Sequence, residues 1–319
     1  MAPPQSPRPR RAAAGLLGGT ALAALLPLAL TAPATAAVPP APPALPAPAA
    51  TAAAAQGPAV APAPAAKPAA DQLCSSATHP ALAARLAADL ATALHGRTDT
   101  VAFTVRDPVN GVSCALHPAR HFDSASVVKA AVLAAVLRRA QEQRRELSAR
   151  ETADLRAMIT HSDNDAATAL WADLGPTRFA AFLALAGMTA TVPGGDGYWG
   201  LTQITAADEM RLLDVLTDRQ DVLSARWKAY ALGLMAEVVP EQRWGAPYGT
   251  PAGVTAHNKN GWLPRATRGW RVHSLGIFTG AGRNYRMVVL TDDNRSMDYG
   301  VDTVQRVALA VNRDIGGFR

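Results

Sequence analysis

Strand-like segments stand at both ends of the folded part of this chain, and everything between residues 126 and 237 reads as helix. A strand leaves its backbone N–H and C=O groups unpaired until another strand lies beside it, so the two ends must come together in one sheet. At the front, residues 100–106 and 112–117 alternate or run apolar around Asp107-Pro-Val-Asn-Gly111, whose Asn-Gly pair marks a hairpin. At the back, residues 253–262, 270–279 and 285–291 are rich in Val, Leu and aromatics and punctuated by glycine. Helical spacing predicts a first helix over 79–95 (Leu82, Leu86, Leu90, Leu94), a last one over 298–313, and a helical insert made of 126–141, 149–160, 165–174, 177–186, 206–216 and 223–237. The expected class is α+β: a sheet built from both chain ends plus an inserted all-helical lobe, with a cleft between them as the place for a site.

Residues 1–36 read as an export signal: Arg8, Arg10 and Arg11, an apolar stretch over 12–30, then Ala34-Thr35-Ala36 as a cleavage pattern. An uncleaved membrane anchor is the rival reading of the same stretch. The Arg10-Arg11 pair leaves both Sec and twin-arginine routes open. Residues 37–70 are almost wholly alanine and proline, which cannot bury a core and form an extended, disordered tether suited to a cell wall. The folded domain is expected over 71–319, and the protein is expected to be secreted and extracellular or wall-associated.

Formal net charge is +6, and three of those charges leave with the leader, which is too mild for a nucleic-acid partner. Arg138-Arg139 and Arg144-Arg145 read as a solvated helix face. The seven histidines are scattered without zinc-site spacing, so neither metal nor other cofactor is expected, and the chain is taken as a monomer. Two cysteines, Cys74 and Cys114, in an exported chain predict one disulfide tying the start of the domain to its second strand, with two buried thiols as the alternative.

Basic residues are nearly all arginine; the lysines number four, Lys67, Lys129, Lys228 and Lys259. A lysine can shed its proton when desolvated and act as a base, which arginine cannot. Lys129 lies one turn after Ser126 in Ser126-Val-Val-Lys129, at a helix start where unpaired amides favour negative charge. Ser162-Asp163-Asn164 opens another helix: Ser162 is a candidate proton relay and Asn164 a ligand for Lys129 or a substrate carbonyl, while the tripeptide alone also reads as a helix cap. Lys259-Asn260-Gly261 ends a strand, where Lys259 can hold a carboxylate and Gly261 permits close backbone approach; a turn is the competing reading. Tyr198, Trp199 and Trp244 are candidates for the cleft wall, and Trp270 and Tyr285 for the core.

In this order and context the three elements resemble the penicillin-recognising serine enzymes, most closely class A β-lactamases and class A-like serine hydrolases. The resemblance implies a two-lobed β-lactamase/transpeptidase-like fold with a five-stranded antiparallel sheet. It implies Ser126 as acylated nucleophile, Lys129 as its base or base partner, Ser162 as proton shuttle and Lys259 as electrostatic anchor. The oxyanion hole would be the backbone N–H groups of Ser126 and Trp262; Arg271, on the next strand, is placed to bind a substrate carboxylate, with a surface strand arginine as the alternative reading. The chain also departs from the family. Between residues 188 and 204, where class A enzymes carry a water-activating glutamate, the sole acid is Asp196, flanked by glycines as a turn residue is; Glu209 on the next helix reads as exposed or structural. The interval from Ser126 to Ser162 is short, and Asn260 replaces the usual Thr or Ser.

These readings imply hydrolysis of a β-lactam or related amide through an acyl-serine, with acylation retained and deacylation slowed. Two rivals use the same residues: a cell-wall D-amino-acid peptidase or esterase, and a penicillin- or wall-binding module without turnover.

Overall fold

The computed structural model describes residues 73–317; the expected leader and tether lie outside them. Six antiparallel strands form the main sheet in the order β1-β3-β2-β8-β7-β6. They are β1 (Cys74–Ser76), β2 (Thr100–Asp107), β3 (Val112–Leu116), β6 (Thr255–Pro264), β7 (Trp270–Gly280) and β8 (Arg283–Asn294). The chain ends meet where β2 pairs with β8, Phe103 opposite Val289. The expected five strands are all present, and the sixth, β1, is added at the edge by Cys74, which lies directly opposite Cys114 and is disulfide-bonded to it. Three residues are too few for a period-2 pattern to be visible in the sequence, and the same holds for the two-stranded ribbon of β4 (His121–Asp123) and β5 (Gln203–Thr205).

Helices α1 (Pro80–Ala93) and α8 (Met297–Asp314) share one hydrophobic core with the sheet. A second core joins its other face to α2 (Val128–Glu142), α3 (Ala149–Thr160), α4 (Asn164–Leu174), α5 (Pro176–Ala186), α6 (Ala206–Thr217) and α7 (Ala225–Ala236). The bounds match the helical spacing to within a few residues. Helix α2 is buried all round through its first ten residues, and its alanines let the neighbours approach closely; it is the axis of the lobe. A short 3₁₀ turn, Ala125–Val127, precedes it, so Ser126 sits in that turn and Lys129 in the first turn of α2.

Two expectations about charged residues need correction. Arg139 is not part of a solvated face: it is buried, donating to Glu151 at 2.8 Å and Asp173 at 2.5 Å, partners too distant in sequence for a charge pattern to reveal. Of the two readings of Glu209 the exposed one falls: it is wholly buried on α6, with neither carboxylate oxygen hydrogen-bonded. Desolvation, and then the neighbouring Asp208 charge, push its carboxyl up to about 8, so it is held as the neutral acid at neutral pH. Arg286, fully buried on β8, reaches Asp214 at 2.8 Å and Asp218 at 2.6 Å and fastens the lobe to the sheet.

Between about pH 4.5 and 8 the native state keeps a proton on Glu209 that the unfolded chain has lost, so this group's contribution to stability falls as pH rises through that window. Buried His273, depressed to about 4, works in the opposite sense only below its ordinary value of 6.5. From pH 6.5 to 8 the wild type should therefore lose stability relative to Glu209→Gln by up to roughly 1.4 kcal/mol per pH unit, read from denaturant melts of both proteins.

Candidate active site

Helix α3 ends at Thr160, and the chain reverses through Ser162, which takes a left-handed conformation (φ 58°) unusual for a residue with a side chain. Lys129 holds it there: Nζ donates to the Ser162 carbonyl at 2.5 Å, to Ser162 Oγ at 3.2 Å and to Asn164 Oδ1 at 2.8 Å. The two readings of Ser162-Asp163-Asn164 divide by residue. Asp163 is the cap of α4, accepting from the Ala166 N–H at 2.7 Å, while Ser162 and Asn164 on either side of it serve the lysine.

A second amine meets the same hydroxyl: Lys259 Nζ donates to Ser162 Oγ at 2.9 Å and to the Asn260 carbonyl at 2.8 Å. Both lysines are buried. Desolvation depresses Lys129 to about 8, with Asp163 pulling weakly the other way. Lys259 is held well below its ordinary value by desolvation and then by the Lys129 charge. The cluster therefore carries a readily deprotonated amine one helical turn from Ser126, whose half-buried Oγ has no hydrogen-bond partner among the described residues.

Strand β6 is the sheet edge, and the 3₁₀ turn bearing Ser126 packs against it. A Cβ on Gly261 would lie 2.8 Å from the backbone nitrogens of Ser126 and Val127 and 3.2 Å from the Ser124 carbonyl, so only glycine permits this approach. An edge strand has backbone N–H groups without strand partners, which gives the candidate oxyanion donor Trp262, next after Gly261, its setting. Ala125, immediately before Ser126, is itself left-handed (φ 47°). His273, which pairs opposite Gly261 in register, is a positioning group absent from the sequence reading. Its Nδ1 accepts from the Thr291 N–H at 3.1 Å, which fixes the tautomer whose Nε2–H donates to the Asp123 carbonyl at 2.9 Å and steadies the chain leading to Ser126.

One expected site residue is held by other partners, and the two positions where the chain departs from the family are engaged elsewhere. Arg271 is buried, with Nη1 donating to the carbonyls of Thr267, Arg268 and Gly269 and Nε lying 3.2 Å from Asp123, so that it braces the β6–β7 turn. Asn260 faces away from Lys259, as strand alternation requires, donating to the carbonyls of Gln242 and Trp244 and accepting from Ser274 Oγ at 2.6 Å. Asp196 is exposed in a left-handed turn (φ 51°) between its glycines. Trp199, by contrast, lies with its ring 4.8 Å from Lys129 Nζ. Trp244 and Trp262 meet edge to face with centroids 5.9 Å apart beside β6, and Tyr285 is core as expected. No cluster of metal-ligating side chains occurs among the described residues.

The approach at Gly261 gives a direct test. Gly261→Ala should cut labelling of Ser126 by an active-site serine reagent at least roughly a hundredfold, the lower end of what loss of an oxyanion contact costs, and should lower the thermal melt as well, because the methyl must displace the backbone of residues 126–127.

The same architecture recurs in solved structures. A β-lactamase from Sphaerobacter thermophilus superposes with TM-score 0.62 at 18% identity, over 74% of this chain and 98% of that one. A class A β-lactamase representative from Bacteroides cellulosilyticus gives 0.64 at 16% identity over 73% and 98%, and the protein PBP-A gives 0.63 at 18% over 73% and 96%. At these identities the likeness speaks for the fold alone. Among curated proteins, LppW of Mycobacterium bovis, named as a lipoprotein, is 30% identical over 172 residues, 52% of this chain and 54% of that protein. The chain thus spans about half the length of the curated relatives it matches. A model of the beta-lactamase enzyme family matches residues 85–156 and 144–315, which is most of the chain, and to that family the chain belongs.

Proposed function

We propose that the protein is an exported serine hydrolase of class A β-lactamase type that opens a β-lactam or related amide through an acyl-Ser126 intermediate. The observation that carries the reading is the convergence of two depressed lysine amines on the Ser162 hydroxyl, beside an unengaged Ser126 in close contact with Gly261. In this reading Ser126 Oγ adds to the amide carbonyl carbon as Lys129 Nζ takes its proton. The oxygen of the tetrahedral intermediate takes the charge and is held by the N–H groups of Ser126 and Trp262. Collapse breaks the C–N bond, and the leaving nitrogen receives the proton from Lys129 through Ser162 Oγ. Lys259 supplies the counter-charge for a substrate carboxylate. Export is supported by the leader-like sequence, by the Cys74–Cys114 disulfide and by the lipoprotein name of LppW.

A second reading, a penicillin- or wall-binding module that acylates without useful turnover, is favoured by one observation: the segment 188–204 contains no glutamate, and its Asp196 is a turn residue.

Incubation with a penicillin, followed by intact mass and by product analysis, tests acylation. The expected result is either an adduct or hydrolysed drug, each abolished by Ser126→Ala; neither from the wild type, alongside turnover of simple esters or stem peptides, would move the assignment to a peptidase or esterase. Because the base must be neutral, the acylation rate should climb about tenfold in its neutral fraction between pH 7 and 9, with a midpoint near 8. A profile flat across that range would remove Lys129 from the role of base.

A further inference from the structure

Ser162 and Asn164 hold the Lys129 amine from the start of α4, and the indole of Trp199 covers it as well. This ring is anchored. Its Nε1 donates to Thr168 Oγ1 on α4 at 3.2 Å. Its own carbonyl accepts from Ser124 Oγ at 3.4 Å, and the Ser124 N–H donates to the Thr202 carbonyl at 2.8 Å. A Cβ on Gly200 would touch the Ala125 backbone at 3.9 Å. Residues 199–202 are therefore fastened both to α4 and to the two residues before Ser126. An indole donates through nitrogen and has no acceptor, so it can neither take a proton from water nor orient one as a carboxylate does.

We propose that Trp199 caps the Lys129 amine and sets the lifetime of the acyl-enzyme by keeping the hydrolytic water away from it. The proposal rests on the reading of Ser126 as the acylated nucleophile. Hydrolysis requires a water oxygen to bond to the acyl carbon while a base takes its proton; the ester bond to Ser126 Oγ then breaks, and that oxygen recovers a proton. In that reading Lys129 is the base, and the Trp199 ring covers its amine with the ring centre 4.8 Å from Nζ. Acylation should change less, because Ser126 lies one turn before Lys129 on the same continuous segment and needs no water to enter beside the amine.

The purified protein is acylated with benzylpenicillin, freed of excess drug, and followed by intact mass over time, with the rate of adduct formation measured separately. Trp199→Phe keeps a ring over the amine and should hold the lifetime within about threefold. Trp199→Ala should shorten it at least roughly tenfold, below the 10²–10⁴ that a positioned base supplies in full, while adduct formation changes far less. Thr168→Val leaves the indole in place but unanchored, should shorten the lifetime by a smaller factor, and serves if the alanine variant does not fold. Lifetimes in Trp199→Ala and Thr168→Val equal to wild type would overturn the cap. So would a wild-type adduct that clears at once with accumulating hydrolysed drug, and that result would leave the acyl-Ser126 reading standing. Neither adduct nor product from the wild type would remove the acyl-serine reading itself, and the cap with it.

Discussion

Two buried amines converge on one hydroxyl, and the site depends on how that crowding is relieved. Desolvation penalises each ammonium, and the two repel each other, so the pair cannot easily carry two full charges. What makes the arrangement tolerable is a set of oxygens, the Ser162 carbonyl and hydroxyl, Asn164 Oδ1 and the Asn260 carbonyl, all accepting from lysine. The same oxygens explain why Ser162 adopts a left-handed backbone without being glycine: the strain of order 1–3 kcal/mol is offset where its carbonyl meets Lys129. Depressed basicity and unusual backbone are two consequences of one cluster.

The cluster is assembled from three separated stretches of chain, and the sheet is what registers them. Lys259 arrives on the edge strand, and Gly261 fixes how near that strand lies to the turn bearing Ser126. His273 and Arg271 on β7 grip Asp123 through its carbonyl and its carboxylate, so the approach to Ser126 is set from the neighbouring strand as well. Burial holds His273 neutral down to about pH 4, which keeps the Nε2–H that this contact requires.

Much of this was legible in the sequence because it depends on local periodicity and on residue types with few substitutes. The six insert helices, the five long strands and the disulfide pair follow from apolar spacing, turn residues and an even cysteine count. Ser126, Lys129, Ser162, Asn164 and Lys259 stood out because lysine is scarce here and each lay in a fitting context. The misses share a physical cause: each depends on the direction a side chain takes in three dimensions. Arg139, read as solvated, and Glu209, read as exposed or structural, are both buried by elements far away in sequence, and the bonds of Arg271 to its own turn depend on how that turn curls. Trp199 was legible as an aromatic near the cleft, but its position over an amine required the fold of residues 193–202, where glycines permit a turn that no hydrophobic pattern records.

These departures bear on what a substrate must bring. In the proposed reaction, with Nη1 and Nε of Arg271 engaged by its own turn and by Asp123 and Asn260 buried against Gln242, Trp244 and Ser274, Lys259 supplies the positive charge for an anionic ligand. That amine is held well below its ordinary value, by burial first and by the Lys129 charge second. A carboxylate entering beside it restores the opposite charge within a few ångströms, favours the ammonium of Lys259, and so, through repulsion between the two lysines, favours the neutral form of Lys129. In the proposed reaction the substrate's own negative charge would thus prepare the base that accepts the Ser126 proton, and a neutral analogue would forfeit both the ion pair and that shift.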